Sequence, residues 1–218
     1  MPEIDVNISN IGIVGQSGSG KSFTFEKVIF PKITKSMLLV DVKGQYGHLK
    51  KPNWDYYEIS GNDPYRKYCN ILKIVKLKFL KSKSHFIIRW IPQDINEEEF
   101  NAIVGDWTDR RNTVTILEES HYFKVTILRP FREFERTMRL KTGLHNKNSS
   151  IIWITQMPND MPKPIFANTQ ILFLFKHWDN VIEGMVNNRT IPDNVTFDKI
   201  IGKKENGEPV FNYHVISH

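Results

Sequence analysis

The chain has 218 residues, 40% hydrophobic and 25% charged, enough for one soluble globular domain with a real core. A net charge of +6 suits an acidic partner such as nucleic acid and argues against an acidic, halophilic surface. The lone Cys69 excludes an internal disulfide. No apolar run reaches the ~18 residues of a helical membrane span. The N-terminus carries no basic stretch followed by an apolar one, so no signal peptide is expected.

In chain order, the first predicted element is a short apolar strand over 11–14, which runs into Gly15, Gln16, Ser17, Gly18, Ser19, Gly20, Lys21 and Ser22. This GxxxxGKS pattern is a phosphate-binding P-loop. Its glycines let the backbone curl until N–H groups point at phosphate oxygens, Lys21 reaches the β- and γ-phosphates, and the Ser22 hydroxyl can ligate Mg²⁺. A helix over 21–29, cut short by Pro31, adds the positive end of its dipole, so the nucleotide-binding stretch extends to Phe23.

Further strands are expected near 37–41, 85–90, 113–118, 150–155, 171–176 and 210–216, and helices near 64–81, 96–109, 130–141, 179–188 and 196–201. Alternation of this kind predicts an α/β fold with a largely parallel sheet and helices on both faces. The unbroken apolar runs Met37 to Val40, Val114 to Leu117 and Ile151 to Ile154 read as strands buried on both faces. Functional residues are then expected at the carboxyl ends of the strands. Gly202 to Pro209 reads as a surface turn, and the alternating Phe211 to Ile216 as an antiparallel edge strand.

The strand from Val114 ends in Glu118 and Glu119, an apolar strand closed by two carboxylates like a Walker B motif. Glu118 is the candidate for Mg²⁺ and Glu119 for the base that polarises the attacking water. Glu118 is one methylene longer than the usual Asp, so the metal geometry must adjust. The plain alternative is a solvated acidic strand end. Thr155 and Gln156 close the next buried strand, where Gln156 could sense the γ-phosphate or simply cap the strand end.

These segments resemble the HerA–FtsK superfamily of P-loop ATPases, which translocate double-stranded DNA. Besides the P-loop, Leu39 to Tyr46 (LVDVKGQY) is similar to its D-P-x-G-E-Y stretch. Ile116 to His121 (ILEESH) is similar to its D-E-A-H stretch, and Trp153 to Pro158 (WITQMP) to its T-Q-R-P stretch, with Met157 in place of Arg. The resemblance covers about 8–178 and implies a three-layer RecA-like (ASCE) P-loop NTPase with a mainly parallel central sheet. One domain, 1–218, is expected, with 179–218 as a C-terminal appendage. Because the motor nearly fills the chain, it is most similar to the compact genome-packaging ATPases of tailless icosahedral viruses with an internal membrane. The resemblance then implies ATP with Mg²⁺, a homo-oligomeric ring, non-sequence-specific phosphate contacts to double-stranded DNA, and a capsid or portal partner. It places the protein in the host cytoplasm or the virion.

Such a ring needs a cation inserted in trans at the γ-phosphate. Arg129 to Arg139 fits the expected helix, with Phe131, Phe134 and Met138 as its core stripe. Arg139 is the first finger candidate, with Lys147 and Arg136 next; the alternative is a solvated face with a Glu135–Arg139 pair. Lys73, Lys76, Lys78, Lys81 and Lys83 could face a ring pore, the simpler reading being the solvated side of an amphipathic helix. Arg110 and Arg111 read as a turn at the end of the domain away from catalysis. His121 is expected to link the acidic strand end to a neighbour. Asp41 and Tyr46 are expected at a strand end beside the P-loop strand, lining either the nucleotide site or a subunit contact. Two rivals remain: a P-loop kinase of a nucleotide or small molecule, and an ATP-gated assembly or partition protein that moves no DNA.

Overall fold

Strands buried on both faces carry apolar residues at successive positions, because neither face meets water. In the computed structural model this holds for β1 (Ile11–Val14), β5 (Thr113–Leu117), β6 (Ser150–Thr155) and β7 (Ile171–Leu174), which are buried throughout. In β2 (Ser36–Val40) only Ser36 is not fully buried. The structure describes residues 5–79, 84–94, 96–108, 110–123, 149–161, 165–166, 169–175, 185, 204–205, 208–209 and 214–217.

With β3 (Asp55–Ser60), β4 (Phe86–Ile91) and β10 (His214–Ser217), these strands form one eight-stranded sheet in the order β10-β7-β1-β6-β5-β2-β4-β3. Every pairing is parallel except β10 with β7, where His214 faces Leu174 and Ser217 faces Ile171. The antiparallel edge expected from 210–216 is therefore present, beginning later in the chain. β6 lies between β1 and β5, pairing Ile11 with Ile152 on one side and Val114 with Ser150 on the other.

The period-2 alternation of a strand sends neighbouring residues to opposite faces and so builds two cores. Leu38, Val40, Leu117, Ile151 and Trp153 pack under the helices after β3 and β4. Ile11, Ile13, Met37, Leu39, Ile116 and Ile152 pack under the helical segment that follows the P-loop.

That segment begins as α1 (Lys21–Thr24), widens into a π turn (Phe25–Ile29) and tightens into a 3-10 turn (Phe30–Lys32). The tightening falls where Pro31 has no N–H to continue the ladder. α2 (Pro64–Phe79) has proline at its first position, where the missing N–H costs nothing. The helix expected over 96–109 is split into α3 (Glu97–Phe100), a π turn (Asn101–Gly105) and α4 (Asp106–Thr108). Asn96 caps it, its Oδ1 accepting from Glu98 N at 2.8 Å and Glu99 N at 3.4 Å.

β3 was not expected from the sequence. It is an outer strand whose residues, apart from buried Ile59, are half-buried or exposed, so it lacks the apolar run that marks the others. The stretch read as a surface turn contains two short paired strands, β8 (Lys204–Glu205) and β9 (Glu208–Pro209). The helices expected over 130–141 and 196–201 lie outside the described residues, as does 179–188 apart from Met185.

Candidate nucleotide site

The P-loop joins β1 to α1 in a close turn. A Cβ on Gly15 would sit 2.5 Å from Phe175 Cβ and 2.6 Å from Ser19 Oγ, so no side chain fits there. Gly20 precedes the helix with φ 103°, a left-handed conformation that glycine adopts without strain. Gly15 N–H donates to Thr155 O at 3.3 Å, which ties the loop to the end of β6. Lys21 folds back into the loop, donating to Gly15 O at 2.7 Å and Gln16 O at 2.8 Å. Burial pulls the Lys21 ammonium down to about 8, and the negative charge of Glu119 opposes that shift.

Glu118 and Glu119 follow β5 and are both buried. Glu118 Oε2 accepts from Lys43 N at 2.9 Å, and Glu118 Oε1 accepts from Gln45 Nε2 at 2.9 Å. Burial pushes the Glu118 carboxyl up to about 7, against the Lys43 N–H and with the Glu119 charge adding to the rise. Gln45 Nε2 also stands 3.4 Å from Ser22 Oγ, so one amide spans the P-loop hydroxyl and the acidic strand end.

Glu119 has φ 48°, a left-handed backbone uncommon for any residue other than glycine, asparagine or aspartate. Its Oε1 is ion-paired with Lys43 Nζ, and its Oε2 lies 3.3 Å from His121 Nδ1. His121 Nδ1 in turn is 3.2 Å from Thr155 Oγ1, which accepts from Met157 N at 3.0 Å. His121 thus links the acidic strand end to β6, as the sequence led us to expect. Gln156 follows directly and is half-buried.

The expectation for Asp41 and Tyr46 is corrected by the strand order. β2 is separated from β1 by β6 and β5, so Asp41 does not lie beside the P-loop strand. Asp41 and Tyr46 are fully buried and brace the loop from within. Asp41 accepts from Gln45 N at 3.0 Å, Tyr46 N at 2.9 Å and Arg89 Nε at 2.7 Å. Burial raises the Tyr46 phenol, whose ring packs edge-on to Phe25 at 5.2 Å. The residues that reach the carboxylates are Lys43 and Gln45, between them. Sequence reasoning recognised this segment but missed those two. Their only local signal is a pair of polar side chains flanking Gly44, whose φ is 68°.

Ser22 and Glu118 would offer an incoming cation oxygen ligands only, the donor set Mg²⁺ prefers, with phosphate and water completing the shell. Among the described residues no group of three His, Cys, Asp or Glu could hold an ion. The finger candidates Arg139, Lys147 and Arg136 lie outside the described residues.

A P-loop between a parallel strand and a helix, with an acidic strand end one strand removed, defines a P-loop NTPase, here of the HerA–FtsK type. Residues 4–161 match the family profile described as "Helicase HerA, central domain", and the chain belongs to that family. No curated protein matches it by sequence. Among solved structures it is similar to the genome packaging NTPase B204 from Sulfolobus turreted icosahedral virus 2 in complex with ATP-gammaS. That match has 12% identity and a TM-score of 0.56, and covers 88% of this chain and 89% of that one. The complex of the same NTPase with AMPPCP matches at 14% identity and a TM-score of 0.54, covering 83% and 82%. The crystal structure of B204, the DNA-packaging ATPase from Sulfolobus Turreted Icosahedral Virus, matches at 12% and 0.56, covering 84% and 83%. At these identities the likeness is one of fold. No helix among the described residues is long and apolar enough to cross a membrane.

Proposed function

We propose that this protein is an ATP-hydrolysing translocase of double-stranded DNA, acting as a ring in the packaging of a viral genome. The observation that carries the reading is the adjacency of β1, β6 and β5. Their carboxyl ends bring Lys21, the Glu118–Glu119 pair and Gln156 to one edge of the sheet. Membership of the HerA family supports the motor, and likeness to genome packaging NTPases bound to nucleotide analogues supports the packaging role.

In this reading the loop amides and Lys21 bind the phosphates. Lys21 must exchange the Gly15 and Gln16 carbonyls for phosphate oxygens, for which its ammonium is already positioned. Ser22 and Glu118 would hold Mg²⁺, which would supply positive charge to offset that of the phosphates. Gln45, whose amide now spans both residues, would have to release them for the cation. Glu119 accepts a proton from water as the water oxygen bonds to the γ-phosphorus, and the bond to the ADP oxygen breaks, leaving ADP and phosphate. Gln156 senses the γ-phosphate, and the contact of Thr155 Oγ1 with His121 ties the sensor strand to the segment that carries the base. Arg139, with Lys147 as the alternative, would enter a neighbouring subunit's site. Duplex DNA is gripped through phosphates, as any packaging motor must accept every sequence. The remaining parts of the reading are one domain over 1–218, a capsid or portal partner, and a place in the host cytoplasm or virion.

The test is steady-state ATP hydrolysis across protein concentration, with and without duplex DNA, with Glu119→Gln as control. The expected result is a rate that rises with DNA, rises faster than linearly with protein and vanishes in the variant. A rate linear in protein and indifferent to DNA overturns the motor and points to a phosphate acceptor.

A further inference from the structure

The amino ends of the strands, opposite the nucleotide loop, carry a concentration of positive charge that ATP chemistry does not use. β5, β2, β4 and β3 are consecutive in the sheet, and basic or imidazole side chains precede or flank each of them. Arg110 and Arg111 precede β5, Lys35 precedes β2, His85 precedes β4, and Lys50 and Lys51 lie ahead of β3. Two cavities open here. One, of about 880 Å³, is lined by Lys35, Lys73, Lys76, Arg110 and Arg111. The other, of about 600 Å³, is lined by Lys50, Lys51 and Trp54, and the two meet at His85. Together they present five lysines and two arginines and no carboxylate.

Part of this charge is built into the fold. Lys35 Nζ donates to Asn7 O at 2.8 Å, and Lys51 Nζ donates to Pro31 O at 3.0 Å and Ile33 O at 2.7 Å. Those acceptors are neutral, and Asp5 lies close enough to Lys35 to offset part of its charge. The ion pair of Arg110 with Asp106, at 2.8 Å, offsets one cation. Lys50, Lys73, Lys76 and Arg111 are exposed along the rim.

We propose that this groove is a contact surface for the phosphate backbone of duplex DNA, separate from the nucleotide site. The form of the charge favours a polymer. Four strands about 4.8 Å apart set the cations along about 15 Å of edge, the rise of roughly four base pairs. Lysine ammonium groups on flexible stems suit phosphates of any sequence and read no base edges. The identity of the polyanion rests on the translocase reading above.

The test is fluorescence anisotropy of the full-length protein with a labelled duplex, over a salt series, comparing wild type with Lys73→Ala/Lys76→Ala and with Lys50→Glu. Each variant should weaken binding by about tenfold at fixed salt, and the double variant should lower the salt slope by about two, one per lost phosphate contact. ATP hydrolysis without DNA should be unchanged, and circular dichroism should report a native fold. If wild type binds the duplex and all variants match it in affinity and slope, the groove is not the contact, while the translocase reading stands. If wild type hydrolyses ATP yet binds no duplex at low salt, both fall.

Discussion

Lys43, in the loop after β2, forms an ion pair with Glu119, at the end of β5. The pairing occupies the carboxylate proposed above to activate water. The ammonium sits where a water would have to approach this oxygen, so the pair must open before hydrolysis. Lys43 is half-exposed whereas Glu119 is 3% exposed, so the lysine is the partner free to move. Lys43→Ala should therefore raise the DNA-independent ATPase rate several-fold. Steady-state hydrolysis without DNA checks this; an unchanged or lower rate would mean that Lys43 assists the chemistry or only holds the loop.

Glu119→Gln keeps the shape of the side chain and removes its basicity. Loss of general-base catalysis is expected to lower kcat about 10²- to 10⁴-fold. Equilibrium binding of an ATP analogue should change little, since in the proposed site the P-loop and Lys21, not Glu119, hold the phosphates. Loss of binding in parallel with kcat would contradict the assignment.

Stability should depend on pH through Glu118, whose carboxyl is raised from 4.5 to about 7 by burial. The unfolded chain gives up this proton first, so between about 4.5 and about 7 the folded state holds more protons, and stability falls as pH rises. Below that window the contribution is fully present, and above it the contribution is lost. Thermal melts across the window should flatten in Glu118→Gln. In wild type, Mg²⁺-dependent nucleotide binding should strengthen above pH 7, where the carboxylate is ionised.

Arg89 and Asp41 form a buried pair at 2.7 Å, with side chains 6% and 0% exposed, and Arg89 also holds Glu58 at 2.8 Å. Arg89→Ala would leave the Asp41 charge uncompensated, which typically costs about 3–5 kcal/mol. Urea unfolding should show that loss. Because Asp41 carries the N–H groups of Gln45 and Tyr46, ATP hydrolysis should fall even under conditions where the variant is folded.

Local signals were legible in the sequence because they depend on neighbours along the chain. Gly15, Gly18, Gly20, Lys21 and Ser22 announce a phosphate loop through backbone freedom and spacing alone. The apolar runs of β2, β5 and β6 announce strands sandwiched between layers, and Glu118–Glu119 announces an acidic strand end. β3 escaped because an outer strand with half-buried tyrosines and exposed Glu58 and Ser60 has no such run. The π turns at Phe25–Ile29 and Asn101–Gly105 escaped because one extra residue in a helical turn leaves little trace in periodicity.

Strand order was decided by tertiary packing. The pairing of Ile11 with Ile152 closes a separation of 141 residues, and no local pattern records which apolar strand becomes the neighbour of which. That choice sets β6 between the P-loop strand and the acidic strand, removes Asp41 from the side of β1, and lets Lys43 and Gln45 reach Glu119, Glu118 and Ser22. It also brings Lys35, Lys73 and Arg110, scattered singly along the chain, to one edge. Composition and spacing determined the elements and the loop chemistry, because those are governed by local backbone geometry and burial. Only the folded sheet determined which polar side chains meet, because long-range contacts arise from the joint packing of two cores rather than from any one segment.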